Sequence, residues 1–190
     1  MEKGMRYFVL LMVLVFVNSA SAGNWVINPS DDGTIAPNGN MDTDSELISW
    51  GSAKGVMEFP VSSINGQITS ATLSINPYAL PLHDYLLHVY GYQSNDGRLT
   101  ASDYYAGTYL GDWTLPNLYF KQDAYFDVTT FMQTVRTPYA GFIIQCDGMD
   151  FFSSLEYNYG HPSQLTVTTV PEPATLLLFT LGGLALRRKH

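Results

Sequence analysis

The sequence predicts an all-β protein, an antiparallel β-sandwich with one short helix. Three observations carry that prediction. Apolar and polar residues alternate with a period of two through most of the span from Gly23 to Thr169. The alternating runs are short and separated by Gly, Pro, Asn and Asp turns. That span of roughly 147 residues suits one domain, and its single cysteine, Cys146, leaves the fold to rest on burial rather than on disulfides.

At the amino terminus, Lys3 and Arg6 precede an apolar run from Tyr7 to Val17, followed by the small residues Asn18 to Ala22. This is the layout of a secretory signal peptide, residues 1–22, cut after Ala22 with Ala20 and Ala22 at the two discriminating positions. Next come acidic stretches, Asp31-Asp32-Gly33 and Asp42-Thr43-Asp44-Ser45-Glu46. Asp42, Asp44 and Glu46 are hard oxygen ligands at the spacing of the front of a calcium loop, without the Gly and distal Glu of an EF-hand. A structural calcium and a solvated acidic loop both fit them.

Met57, Phe59 and Val61 alternate with Glu58, and Ala71, Leu73 and Ile75 alternate with Thr72, Ser74 and Asn76, so each run predicts a half-buried strand. Tyr85 to Tyr92 predicts another, with Leu87 and Val89 on one face and His88, Tyr90 and Tyr92 on the other. The segment from Gln93 to Phe120 reads as a long loop holding one helical turn at Leu99 to Tyr105, capped by Thr100 or Ser102. Tyr125 to Val128 is a strand. Thr129 to Arg136 then places Val128, Phe131, Met132 and Val135 on one helical face, with Asp127 or Thr129 as cap and Pro138 beyond the end. Gly141 to Cys146, Phe151 to Tyr157 and the run around Leu165 and Val167 complete the set.

Between Gly23 and Thr169 there are four basic and fifteen acidic residues, a net charge of −11. Lys54, Arg98, Lys121 and Arg136 are scattered singly, which sets nucleic-acid binding aside and disfavours an anionic polymer partner without bridging cations. No Gly-x-Ser-x-Gly elbow, His-Glu-x-x-His, phosphate loop or Cys–His pair occurs, and His83, His88 and His161 are isolated. Fifteen carboxylates make any glycosidase pair chosen by spacing uninformative. Aromatic residues are more telling. Tyr104, Tyr105, Tyr109 and Trp113 cluster in the 93–120 loop, where flat rings stack on sugars while Asp and Asn accept from hydroxyls, and they form a candidate carbohydrate surface.

The carboxyl terminus has a separate organisation. Val170-Pro171-Glu172-Pro173 is a rigid break, Ala174 to Leu186 is an apolar run of thirteen residues, and Arg187-Arg188-Lys189 is a basic stop. Thirteen residues fall short of the roughly twenty that span a bilayer as a helix. Residues 170–190 resemble the PEP-CTERM tail of bacterial surface proteins, a hydrophobic sorting helix handled by an exosortase. That resemblance implies export, a processing enzyme as partner, and destination in the cell envelope or extracellular matrix, with membrane anchoring before processing.

The domain between the two ends carries a second resemblance. Gly55 to Val61, Ile68 to Ile75, Leu87 to Tyr90, Phe126-Asp127-Val128-Thr129, and Ser153 to Val167 resemble, in order, pieces of the DNRLRE and disaggregatase-related secreted domains. This implies a jelly-roll-like sandwich akin to carbohydrate-binding modules and fixes no ligand. The combined expectation is a secreted, noncatalytic envelope or matrix protein that binds exopolysaccharide. A polysaccharide-active hydrolase or lyase and a structural or adhesive protein with a protein partner are the alternatives.

Overall fold

The computed structural model describes residues 23–43, 47–50, 52–77, 85–115, 123–152 and 162–170. The described residues form twelve strands: β1 (Gly23–Ile27), β2 (Asp31–Ile35), β3 (Met41–Asp42), β4 (Leu47–Trp50), β5 (Lys54–Pro60), β6 (Gln67–Ile75), β7 (Tyr85–Ser94), β8 (Thr108–Leu115), β9 (Ala124–Asp127), β10 (Tyr139–Cys146), β11 (Met149–Phe152) and β12 (Gln164–Val170). One sheet is ordered β1-β12-β6-β9 and a larger one β3-β2-β5-β10-β7-β8, with β4 and β11 pairing separately. All the pairings are antiparallel. This is an all-β sandwich. Among the described residues no helix is long and apolar enough to cross a membrane.

Period-two alternation sends Met57, Phe59, Leu87, Val89, Phe142 and Ile144 of the large sheet inward against Leu73, Phe126, Leu165 and Val167 of the small one. Phe142 is the hinge of this packing, edge-on to Phe59 at 5.9 Å and to Phe131 at 5.4 Å. Truncating such a ring costs about 3–5 kcal/mol.

The Asp127-Val128-Thr129 junction folds as its chemistry requires. Asp127 Oδ1 accepts from the Thr129 amide at 2.9 Å, Val128 enters the core, and Thr129 Oγ1 accepts from the Ala71 amide at 2.9 Å. The helix it starts, α1 (Thr129–Met132), is shorter than the sequence predicts. The Thr134 amide and hydroxyl both bond the Phe131 carbonyl, at 2.8 and 2.7 Å, and this tight turn ends the helix before Val135.

Two further differences from the sequence reading matter. The predicted 93–120 loop contains strand β8, which pairs along β7. Glu58, expected as the polar side of a half-buried strand, is 0% exposed, because residues 94–107 fold back over the outer face of the large sheet, with Leu99 and Tyr104 packed on Val56 and Ile143. The helical turn expected there is present as a 3₁₀ turn at Ala101–Tyr105 with Thr100 as its cap, held by the Asp103 carboxylate accepting from the Thr100 amide at 2.6 Å. Phe151 and Phe152 lie in β11, and the rest of the predicted strand to Tyr157 falls outside the described residues.

Candidate functional site

The outer face of the large sheet and the segment folded over it carry two exposed aromatic side chains among the described residues, Tyr105 and Tyr109. Alternation in β7 turns His88, Tyr90 and Tyr92 outward while Leu87 and Val89 enter the core. In β8 strict alternation would put Tyr109 and Trp113 on one face, but a bulge intervenes. Tyr90 pairs with Tyr109 and Val89 with Gly111, so Leu110 is an extra residue. The phase changes there. Tyr109 and Asp112 face outward beside Tyr90 and His88, whereas Trp113 packs edge-on to Phe126 at 4.7 Å on the core side.

A continuous strip results. The Tyr105 ring meets Tyr104 at 4.7 Å, the Lys54 ammonium lies 4.3 Å from the Tyr104 ring centre and 5.6 Å from that of Tyr90, and Tyr90 meets Tyr109 at 5.6 Å. Beyond Tyr109 the strip becomes polar. Its hydroxyl bonds Asp112, His88 Nδ1 lies 2.5 Å from Asp112 Oδ1, and His88 Nε2 lies 3.0 Å from Asp147 Oδ1. Tyr105 is 76% and Tyr109 50% exposed. Tyr109 also borders a recess of about 650 Å³ that continues past Gly107, Leu110 and Phe131 toward α1.

Electrostatics divide the strip. The Lys54 amine is held below its usual range by burial, and it donates to the Tyr104 carbonyl at 2.8 Å, so it braces the two rings. At the other end Asp112 is held low by its bonds to the Tyr109 hydroxyl and His88, the Tyr109 hydroxyl is pushed up to about 12 chiefly by its bond to Asp112, and His88 is raised by Asp112 and Asp147. Both ring nitrogens of His88 are engaged, and the two carboxylates sit on opposite edges of the ring instead of converging on one point. Among the described residues no group of three His, Cys, Asp or Glu side chains is arranged to hold a metal ion.

Of the four aromatic residues singled out in the sequence, Tyr105 and Tyr109 are exposed on the strip. Tyr104 is 8% exposed, its ring packed between Tyr105 and Lys54 and its hydroxyl donating to the Ser52 carbonyl at 2.6 Å, so it supports the strip from beneath. Trp113 faces away. The structure adds Tyr90, Lys54, His88 and Asp112. The alternation of residues 85–92 already put His88 and Tyr90 on one face, whereas no local signal paired them with Tyr109 and Asp112. Asp42 is exposed in β3, and Asp44 and Glu46 lie outside the described residues. So do Ala20, Ala22, Pro171, Glu172, Pro173, Arg187, Arg188 and Lys189, while Val170 is the last residue of β12.

Comparison with known families finds the PEP-CTERM protein-sorting motif at residues 169–189. No curated protein matches the chain. The motif marks an exported, cell-envelope-associated protein whose processing partner is an exosortase.

Proposed function

We propose that this exosortase-sorted protein is a noncatalytic component of the envelope or extracellular matrix that binds exopolysaccharide along the strip from Tyr105 to Asp147. The carrying observation is the exposure of Tyr105, on the 3₁₀ turn, and Tyr109, on β8, along a strip that continues into the hydrogen-bonded Asp112–His88–Asp147 group. Aromatic faces take the apolar faces of sugar rings, and neighbouring carboxylates accept from hydroxyls. Strands β7 and β8 fix the spacing of Tyr109, His88 and Asp112, so little ordering of these groups is needed on binding. With a net charge of −11 between Gly23 and Thr169, neutral polymers fit better than uronate-rich ones. A calcium ion at Asp42, Asp44 and Glu46 remains part of this reading as a structural element.

Affinity electrophoresis through gels containing neutral or anionic polysaccharide, with calcium and with EDTA, tests the proposal. Retardation without release of reducing ends is the expected result. Release of reducing ends would favour the polysaccharide-active enzyme, and neither effect would favour an adhesive protein with a protein partner.

A further inference from the structure

The two ends of the described domain leave it side by side. Gly23, the first residue after the predicted signal-peptide cut, lies directly opposite Thr169, where the sorting motif begins. Antiparallel partners of this kind are about 5 Å apart. β12 stays hydrogen-bonded to β6 through Val170, opposite Gln67, so no linker separates the folded sheet from the motif. The apolar run starts at Ala174, and the chain from Val170 to Ala174 reaches at most about 14 Å.

The surface at this end is distinctive. The loop 61–66 and the segment after α1 are knitted together, the Val61 amide donating to the Pro138 carbonyl at 2.8 Å and Gln133 Nε2 to the Ile68 carbonyl at 2.9 Å. Between them lies a groove of about 690 Å³ lined by Ile64, Ile68, Val135 and Arg136 and by no carboxylate. The Arg136 guanidinium bonds the Gln133 and Val135 carbonyls and, among the described residues, forms no ion pair. Asp31, at the start of β2, and Asp96, just beyond β7, are turned to the 94–107 segment, where they accept from the Leu99 amide and the Ser94 hydroxyl.

We infer that this end, formed by Gly23, Val170, loop 61–66 and residues 133–137, is the membrane-facing surface of the domain, seated on phospholipid headgroups while the tail is embedded. The inference rests on the tail reading and adds an orientation to it. Ile64 and Val135 supply apolar contact at the interface, Arg136 supplies a cation for lipid phosphate, and the aromatic strip is left on a flank of the sandwich, open to polymer. The absence of a linker also means that the processing enzyme meets the Pro171-Glu172-Pro173 segment within that same short reach of folded sheet.

The test uses the full chain reconstituted in vesicles of phosphatidylethanolamine and phosphatidylglycerol, with a fluorophore on Asn65→Cys or on Asn38→Cys. Both positions are exposed, at opposite ends of the sandwich, and Cys146 is buried. A headgroup-attached quencher is expected to act several-fold more strongly at position 65 than at 38, and Arg136→Glu to reduce quenching at 65 at least about twofold. Equal quenching at the two positions, stronger quenching at 38, or no effect of Arg136→Glu would overturn the orientation. Absence of quenching at both positions would overturn it by a different route, because the tail itself would then not be embedded.

Discussion

The Tyr92 hydroxyl donates to Glu58 Oε1 at 2.9 Å in the buried layer beneath residues 94–107. The Tyr92 ring reaches this position by lying flat on Gly141, where any Cβ would collide with it. Glu58 Oε2 has no hydrogen-bond partner among the described residues. Burial first, then the charges of Asp103 and Asp96, raise its carboxyl from 4.5 to about 7 against the bond from Tyr92.

A raised carboxyl makes folding stability fall as pH rises. The folded state binds the Glu58 proton more tightly than the unfolded one, so the contribution is fully present below pH 4.5 and is lost as pH climbs to about 7. The shift corresponds to about 3 kcal/mol. Urea unfolding at pH 5 and pH 8 is expected to show that difference, and Glu58→Gln is expected to remove most of it. An unchanged pH dependence in Glu58→Gln would assign the effect elsewhere.

His88 titrates in the same direction. Its bonds to Asp112 and Asp147 raise it, so their stabilisation is present below the ordinary histidine value of 6.5 and is lost as pH rises through the higher folded value. The group is near the surface, and the effect on stability is under about 1 kcal/mol. Proton NMR of the imidazole gives the direct reading. Its midpoint is expected above the ordinary value of 6.5 and is expected to fall in Asp112→Asn.

Tyr109 and Trp113 separate binding from folding. Tyr109→Ala removes a half-exposed ring and is expected to weaken polymer retention at least tenfold while leaving the unfolding midpoint nearly unchanged. Trp113→Ala removes the ring packed on Phe126 and is expected to cost roughly 2–4 kcal/mol. Binding assays together with thermal melts of both variants check the division.

Gly66 guards the exit of the tail. Its φ is +94° and a Cβ there would lie 2.5 Å from the Val170 carbonyl oxygen. Gly66→Ala is therefore expected to cost about 1–3 kcal/mol through backbone strain and displacement of the last β12 residue. Calorimetry measures the loss, and hydrogen exchange at Gln67 and Val170 locates it.

Much of the sandwich was legible because local alternation reports which side chains enter the core: the apolar phases of β5, β6, β7 and β12 face inward as predicted. The Asp127 cap was legible for the same reason, since its partner Thr129 is two residues away. Three features were not. The extra residue Leu110 breaks the period of β8, hiding the strand and sending Trp113 to the opposite face from Tyr109. Glu58 looked solvent-facing because its cover comes from residues 94–107, distant in sequence. The Gly23–Thr169 pairing depends on register between the two ends of the domain, which no local pattern encodes. The candidate site was half legible, its exposed rings from composition and its His88–Asp112 end only from strand pairing.

The most direct test of polymer binding is affinity electrophoresis of the wild-type chain beside the Tyr105→Ala/Tyr109→Ala double variant in a neutral polysaccharide gel. Retardation of the wild type, lost in the double variant while its melting temperature holds, is the predicted result. Equal mobility of the two in the presence and absence of polymer, or retardation that survives the double substitution, would contradict binding along this strip.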